Sequence, residues 1–270
     1  MPYMKGMRNI TTLRRARRIW AIGAIHGEAE RLAALHAQLT PRLAYGDRLI
    51  YLGNYLGVGG KIFETIAELL RFRRMVMSIP PYMDEDDFVL LRGAQEEMWH
   101  KLLQLQFSNK PAEVLTWMVD RGVGATLEAY NGSMAEGFAK AAEGVIALTT
   151  WTSGLRDSVR AAPGHEALMN VLRRAAISRD GGALFVNSGI DVGHPLSKQT
   201  DSFWWAGRSF SSIHAPYEGF QRVIRGFDPD HGGIAETALT LTIDAGCGFG
   251  GRLAAYCLTP DGDVLDRFEA

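Results

Sequence analysis

Four glycine-anchored turns hold the residues whose types and spacing could do chemistry. They are Gly23-Ala24-Ile25-His26-Gly27, Gly53-Asn54-Tyr55-Leu56-Gly57-Val58-Gly59, Arg92-Gly93-Ala94-Gln95-Glu96 and Phe185-Val186-Asn187-Ser188-Gly189. Each begins where an apolar run stops, which is where α/β folds hold their reactive loops. Across the four there is one histidine, His26, one carboxylate, Glu96, and no cysteine. His26 could ligate a metal, although a lone histidine on such a loop is more often hydrogen-bonded structure. Asp228, Asp230 and His231 could complete a single-metal site with it, since Asp and His suit zinc or manganese. The plainer reading of that stretch is a solvated Asp-Pro-Asp turn. Arg92 could grip a phosphate or carboxylate through its guanidinium fork, or pair with Glu96 or Glu97 at a helix start. Backbone amides at Gly27 and Gly59 could hold an anion where their helices begin. Gly57-Val58-Gly59-Gly60 loosely resembles a phosphate loop but lacks the Lys-Ser/Thr that a nucleotide P-loop needs. The scaffold is that of an enzyme and the side chains are not.

The elements that must position these turns are legible. Residues 18–23, 48–53 and 88–93 are short apolar runs that stop at glycine, as buried strands do. Each precedes a helical pattern. Residues 28–39 place Leu32, Leu35 and Leu39 on one face, closed by Pro41, and 61–77 stripe Ile62, Ile66, Leu69 and Leu70. A third helix begins over 96–106, and 84–87 is an acidic turn. Strand, glycine loop and helix, three times over, predict an α/β fold with parallel strand pairs. From about 97 to 180 the apolar spacing is helical, broken by Pro111, Gly122, Gly124, Gly132 and Pro163. We read this as a helical insertion over one edge of the sheets. Strands return at 183–186 and 221–224. Residues 239–243 and 253–258 read as antiparallel strands, and 259–263 as a hairpin turn before 264–268.

Composition bounds the rest. The chain has 270 residues, 47% hydrophobic and 22% charged, with net charge −1 and pI about 6.7. This suits one large globular domain with an inserted cap and gives no reason to expect nucleic acid as partner. No apolar run approaches the roughly 18 residues that span a bilayer. Cys247 and Cys257 read as buried, reduced thiols. The first 17 residues form a basic segment with Arg14, Arg15 and Arg17, and Arg18 follows. It lacks a secretory apolar core, so it reads as a frayed, solvated terminus, or as a contact to an acidic partner or lipid surface.

Taken together, the turns resemble the calcineurin-like metallophosphoesterases, in the bacterial branch of the PPP serine/threonine phosphatases and bis-nucleotide tetraphosphatases. The family signatures G-D-x-H-G, G-D-x-x-D-R-G, R-G-N-H-E, H-A-G and G-H-T fall in order on Gly23–Gly27, Gly53–Gly59, Arg92–Glu96, Asn187–Gly189 and Gly226–Pro229. Gly124–Tyr130 is similar to a G-A-T-L-x-S-Y segment. Ile243–Gly246 with Gly250–Leu253 is similar to an I-D-T-G…G-G-x-L ending. The resemblance spans roughly 18–268. It implies a four-layer αββα sandwich of two mixed β-sheets over 18–270, with 97–180 as helical cap.

It also implies what is missing. The family holds two divalent metals, such as Mn, Fe or Zn. Its ligand positions fall here on Ala24, His26, Asn54, Ala94, Asn187 and Phe227, of which His26 alone is kept. The general-acid position is Gln95, the residue that orients it is Gly57, and the phosphate-clamping arginine is Val58. A further clamping arginine falls on Gly207 or Arg208, and Arg92 remains. Two dications need charged donors, which Ala24 and Asn54 do not supply. Gln95 cannot titrate, so it cannot be a general acid. The resemblance therefore implies a pseudophosphatase without metal or other cofactor, which works by binding as regulator, scaffold or subunit partner. A second reading is a module that binds a phosphorylated small molecule or nucleotide through Arg92, His26, Asn54, Gln95, Asn187 and Arg208. A third is a residual or rebuilt phosphoesterase around His26 and 228–231. Phe203, Trp204, Trp205 and Phe210 read as core with a partly exposed anchor. Trp117, Met118, Met134, Trp151 and Met169 read as cap packing or a docking surface. Reduced thiols, no secretory core and bacterial-type flanks predict a bacterial, cytoplasmic protein.

Overall fold

A computed structural model describes residues 9–80, 85–178 and 181–270. The chain alternates strand and helix through β1 (Ile10–Leu13), β2 (Arg18–Ile22), α1 (Ala29–Leu39), β3 (Asp47–Tyr51), α2 (Ile62–Met77), β4 (Phe88–Leu90) and α3 (Ala94–Leu102). A helical stretch follows, with α4 (Pro111–Val119), α5 (Val123–Ala129), α6 (Met134–Glu143), α7 (Val145–Ala161) and α8 (His165–Val171). The second half contributes β5 (Ala175–Ser178), β6 (Ala183–Val186), α9 (Ser202–Trp205), β7 (Arg222–Arg225), β8 (Ala235–Glu236), β9 (Thr240–Thr242), β10 (Ala254–Leu258) and β11 (Val264–Glu269). Two mixed sheets result, ordered β11-β10-β2-β3-β4 and β1-β5-β6-β7-β9-β8. β2, β3 and β4 run parallel, as do β6, β7 and β9.

Period-two alternation sorts each strand's side chains between two cores. On β2, Ile19 and Ala21 pack between the sheets, while Trp20 and Ile22 face the helices. On β3 and beyond its end, Ile50 and Leu52 face the other sheet, and Leu49 and Tyr51 face α1 and α2. From the opposite sheet, Ala183 and Phe185 meet them, while Leu184 and Val186 point outward onto Phe203, Trp204 and Phe210. The result is an αββα sandwich, as the resemblance implies.

Four expectations need correction. The basic segment, described from Asn9 onward, is not frayed there. Ile10–Leu13 joins the six-stranded sheet, parallel to β5. The helical stretch ends before 180, because Ala175–Ser178 is strand. The third helix spans Ala94–Leu102 and gives way to a 3₁₀ turn at Leu105–Phe107. Finally, 239–243 and 253–258 lie in different sheets. β9 pairs with β7 and β8, and β10 with β2 and β11. The glycine-rich 246–251 stretch carries the chain across, with positive φ at Gly246, Gly248 and Gly250. Of the acidic turn, Asp84 lies outside the described residues and Glu85–Asp87 is a 3₁₀ turn.

The helical stretch does more than cover an edge. Leu115, Met118, Leu127, Trp151 and Leu155 join one continuous core with α2 and α3. Among the described residues no helix is long and apolar enough to cross a membrane.

Phe185 is fully buried between the sheets. Phe185→Ala should therefore lower the unfolding free energy by about 3–5 kcal/mol in urea titration. A loss below 1 kcal/mol would mean the sandwich does not depend on this contact.

Candidate functional site

Five loops converge at the C-terminal ends of parallel strands. His26 follows β2, Asn54 follows β3, Ala94 and Gln95 open α3 after β4, Asn187 follows β6 and Phe227 follows β7. Glu96 ties two of them together. It is 2% exposed. Its Oε2 accepts N–H bonds from Gly93 and Asn54, both 2.8 Å, and its Oε1 accepts from Tyr55 at 2.8 Å and Leu56 at 3.0 Å. Burial pushes this carboxyl above its ordinary range, against the pull of the four N–H donors. Sequence reasoning weighed Glu96 as a partner for Arg92. The signal for its true role was present, since a Glu at the third position of a helix is the capping-box residue.

The two asparagines complete the start of α3. Asn54 Oδ1 accepts from the Gln95 N–H at 3.1 Å, and Asn187 Oδ1 accepts from the Ala94 N–H at 3.0 Å. Asn187 Nδ2 donates back to the Leu52 carbonyl at 2.7 Å. Orphan donors at a helix start are thus satisfied by side chains from both sheets. Both amide oxygens are committed to main-chain donors.

His26 is 1% exposed. The Asn54 amide nitrogen lies 3.4 Å from its Nε2, and its Nδ1 has no hydrogen-bond partner. The Phe227 and Phe249 rings each stand edge-on to it at 5.2 Å. Burial, with the nearby His231, pulls its pKa from 6.5 down to about 3. Ala24 is buried and its N–H donates to the Gly226 carbonyl. His26, Asn54 and Val58 all have positive φ, at 54°, 58° and 59°. For a β-branched valine this is strain, held by the Val58 N–H to the Gly122 carbonyl at 3.1 Å. Gly57 has φ 81°, where any other side chain is strained, and a Cβ there would lie 2.2 Å from Gln95 Oε1 and displace that side chain.

Above this layer opens a cleft of 790 Å³. Val58, Gln95 and Phe227 line it from the loops, Trp117 and Arg121 from the helical stretch, and Trp205, Arg208 and Phe249 from the far rim. Of the six residues expected to form a ligand pocket, Gln95 and Arg208 line this cleft. His26, Asn54 and Asn187 are buried. Arg92 does not line it. Its guanidinium turns to Glu97 at 3.1 Å, and its carbonyl accepts from the Trp204 indole.

The stretch after β7 is a turn at Pro229 and Asp230, both exposed as is His231, but its first aspartate is not solvated. Asp228 is 7% exposed and pairs with the buried Arg225 at 3.0 Å. Its oxygens also accept from the Asp230 and Gly232 N–H groups. Asp230 reaches Arg208 at 3.6 Å, and His231 lies against Phe249. Among the described residues no three His, Cys, Asp or Glu side chains converge as a metal-holding group. Phe203, Trp204 and Phe210 are core, while Trp205 is exposed to the cleft. Met118 and Trp151 are cap packing.

No family model matches this chain, and no curated protein matches it. Solved structures do. One is a protein assigned as a diadenosine tetraphosphatase, at 15% identity, covering 97% of this chain and 98% of that one, with TM-score 0.58. A second is a Saccharomyces cerevisiae serine/threonine phosphatase with similarity to human phosphatase PP5, at 12% identity, 97% and 84% coverage and TM-score 0.56. A third is the cold-active protein-tyrosine phosphatase of a psychrophilic Shewanella species, at 11% identity, 97% and 82% coverage and TM-score 0.50. The chain carries the calcineurin-like metallophosphatase fold.

Two predictions follow from this geometry. In Glu96→Gln the new amide nitrogen faces two N–H donors, stranding both at roughly 1–3 kcal/mol each. The variant should lose about 2–6 kcal/mol in urea unfolding, and an unchanged midpoint would show that the loops hold without the carboxylate. The second concerns pH. His26 falls to about 3 and the equally buried His36 to about 4, both mainly by burial. Below pH 6.5 the unfolded chain takes up protons that the folded chain refuses. Stability should therefore fall on acidification from pH 6.5 to 4.5, by about 1.4 kcal/mol per unit for each histidine. His26→Asn, compatible with positive φ, should remove about half of that slope.

Proposed function

We propose that this protein is a metallophosphatase-fold binding protein without phosphoesterase activity, serving as a regulator, scaffold or subunit partner. One observation carries the reading. At the positions where the resemblance implies metal ligands, both amide oxygens are spent on the start of α3, and His26 is walled in by Phe227 and Phe249. Two dications need anionic donors, and this set offers none. The donor set does not fit a dinuclear centre. Gln95 cannot shuttle a proton, and its Nε2 is held by the Arg121 carbonyl at 2.7 Å.

The partner we infer is a protein. Trp117 and Trp205 are exposed aromatic anchors in the cleft, the residue type that dominates interface energetics. A net charge of −1 gives nucleic acid little to bind. The cysteines suit a reducing, cytoplasmic setting. Both are buried, and burial raises Cys247 to about 12 and Cys257 to about 11, so neither is reactive.

The test is metal content by elemental mass spectrometry, with and without added manganese, alongside p-nitrophenyl phosphate turnover on the same samples. We expect no stoichiometric metal and no turnover. Near one metal per chain, with turnover that disappears in His26→Ala, would overturn the reading in favour of a rebuilt phosphoesterase.

A further inference from the structure

The two sheets end differently on one side of the sandwich. The six-stranded sheet ends in β8, which is two residues long and too short to template another chain. The five-stranded sheet ends in β11, which is six residues long. Among the described residues no strand lies on its outer side.

The pairing with β10 decides which of its groups face out. Leu253 and Ala270 exchange both N–H···O bonds, each 2.9 Å. In an antiparallel ladder such exchanges fall on alternate pairs, so Phe268 and Asp266 also bond inward, opposite Ala255 and Cys257. Arg267 and Glu269 alternate with them and turn their N–H and C=O groups outward. Two of these groups have makeshift partners. The Arg267 N–H goes to its neighbour's carboxylate, Asp266 Oδ1 at 2.8 Å, and the Glu269 carbonyl accepts from Gln38 Nε2 at 3.4 Å. The Glu269 N–H and the Arg267 carbonyl have no partner among the described residues.

The side chains of this edge are exposed and self-complementary. Arg267 and Glu269 share one face of the strand, and neither has a salt bridge within the chain among the described residues. The Arg267 guanidinium stands by the Tyr256 hydroxyl, with the Glu236 and Glu269 carboxylates at longer range. Charges along an edge strand ordinarily keep other strands off. Here their order admits one partner. Laid antiparallel on itself about Phe268, the strand sets each Arg267 opposite Glu269 of the other copy. One step to either side sets Arg267 against Arg267, or Glu269 against Glu269, which is unfavourable.

We propose that β11 pairs antiparallel with β11 of a second copy of this chain, centred on Phe268, to give a twofold dimer. Arg267 and Glu269 then exchange both main-chain bonds across the seam and pair their side chains, once on each side of the axis. The two Phe268 rings meet on the α1 side, where the Arg42 guanidinium lies over the ring at 4.7 Å. Asp266 releases the Arg267 N–H and keeps Arg42, which is 3.7 Å away. The two five-stranded sheets become one. Because the copies run antiparallel, their clefts open at opposite ends of it.

Sedimentation equilibrium of the full chain over a concentration series tests this. We expect a mass that rises from 29.7 kDa toward twice that value. Arg267→Glu and Glu269→Arg each set like charges opposite one another, so each should weaken the dimer about tenfold or more. The double variant, Arg267→Glu with Glu269→Arg, restores opposite charges and should recover the association. Hydrogen exchange gives a readout without substitution, since the Glu269 amide should slow as concentration rises. A monomer at every concentration, a dimer indifferent to the single variants, or a double variant no tighter than the singles would overturn the proposal. So would a Glu269 amide that exchanges equally fast in monomer and dimer, which would place the interface elsewhere. Metal content and turnover do not bear on these outcomes, so the dimer and the inactive reading fail separately.

Discussion

The Glu96 carboxylate is the constraint on which the rest of the site depends. Four backbone N–H groups from the loop after β3 and the start of α3 converge on its two oxygens. Each of those donors is buried and would be costly without an acceptor. Because the acceptor sits on α3, the loop cannot move without the helix. The positive φ angles of Asn54 and Val58 persist because this anchor and the Val58–Gly122 bond over-determine them.

Around that anchor the loops are held by side-chain crosslinks and packed rings. Here Asn54 and Asn187 serve as crosslinks between main chains, one from each sheet. The rings of His26, Phe227 and Phe249 fill the remaining space. Arg225, Asp228 and Asp244 form a second polar network behind β7, where the Asp244 carboxylate accepts the Asp228 N–H at 2.8 Å. These contacts are hydrogen bonds and packing.

Much of this was legible in the sequence. The strand–glycine–helix repeats placed β2, β3 and β4, because short apolar runs ending at glycine have one economical fold. The ordered turns brought the right residues to one rim. Less legible was anything set by contacts distant in sequence. Ile10–Leu13 became a strand because β5 offered an open edge, and nothing local in the basic segment announces that. β9 and β10 read as partners because both are apolar and adjacent, yet the glycines between them send the chain across the sandwich. Of the two readings of Arg92, a ligand grip or a pair with Glu96 or Glu97, the structure has the pair with Glu97. The cleft wall was hidden for a similar reason, since Trp117 and Trp205 lie far apart in the chain and meet only when the helical stretch folds back.

The Asn187–Ala94 bond has a consequence for the order of assembly. Its two ends lie 93 residues apart, with the whole helical stretch between them. The first turn of α3 therefore cannot be fully closed until the second sheet docks. Before that moment α3 can wind from its own propensity and from Glu96, while its first N–H stays open to water. Docking of the sheets and sealing of the loop cluster are one event. The Ala94 amide is its natural clock, slow to exchange with solvent deuterium once the halves have met and fast before.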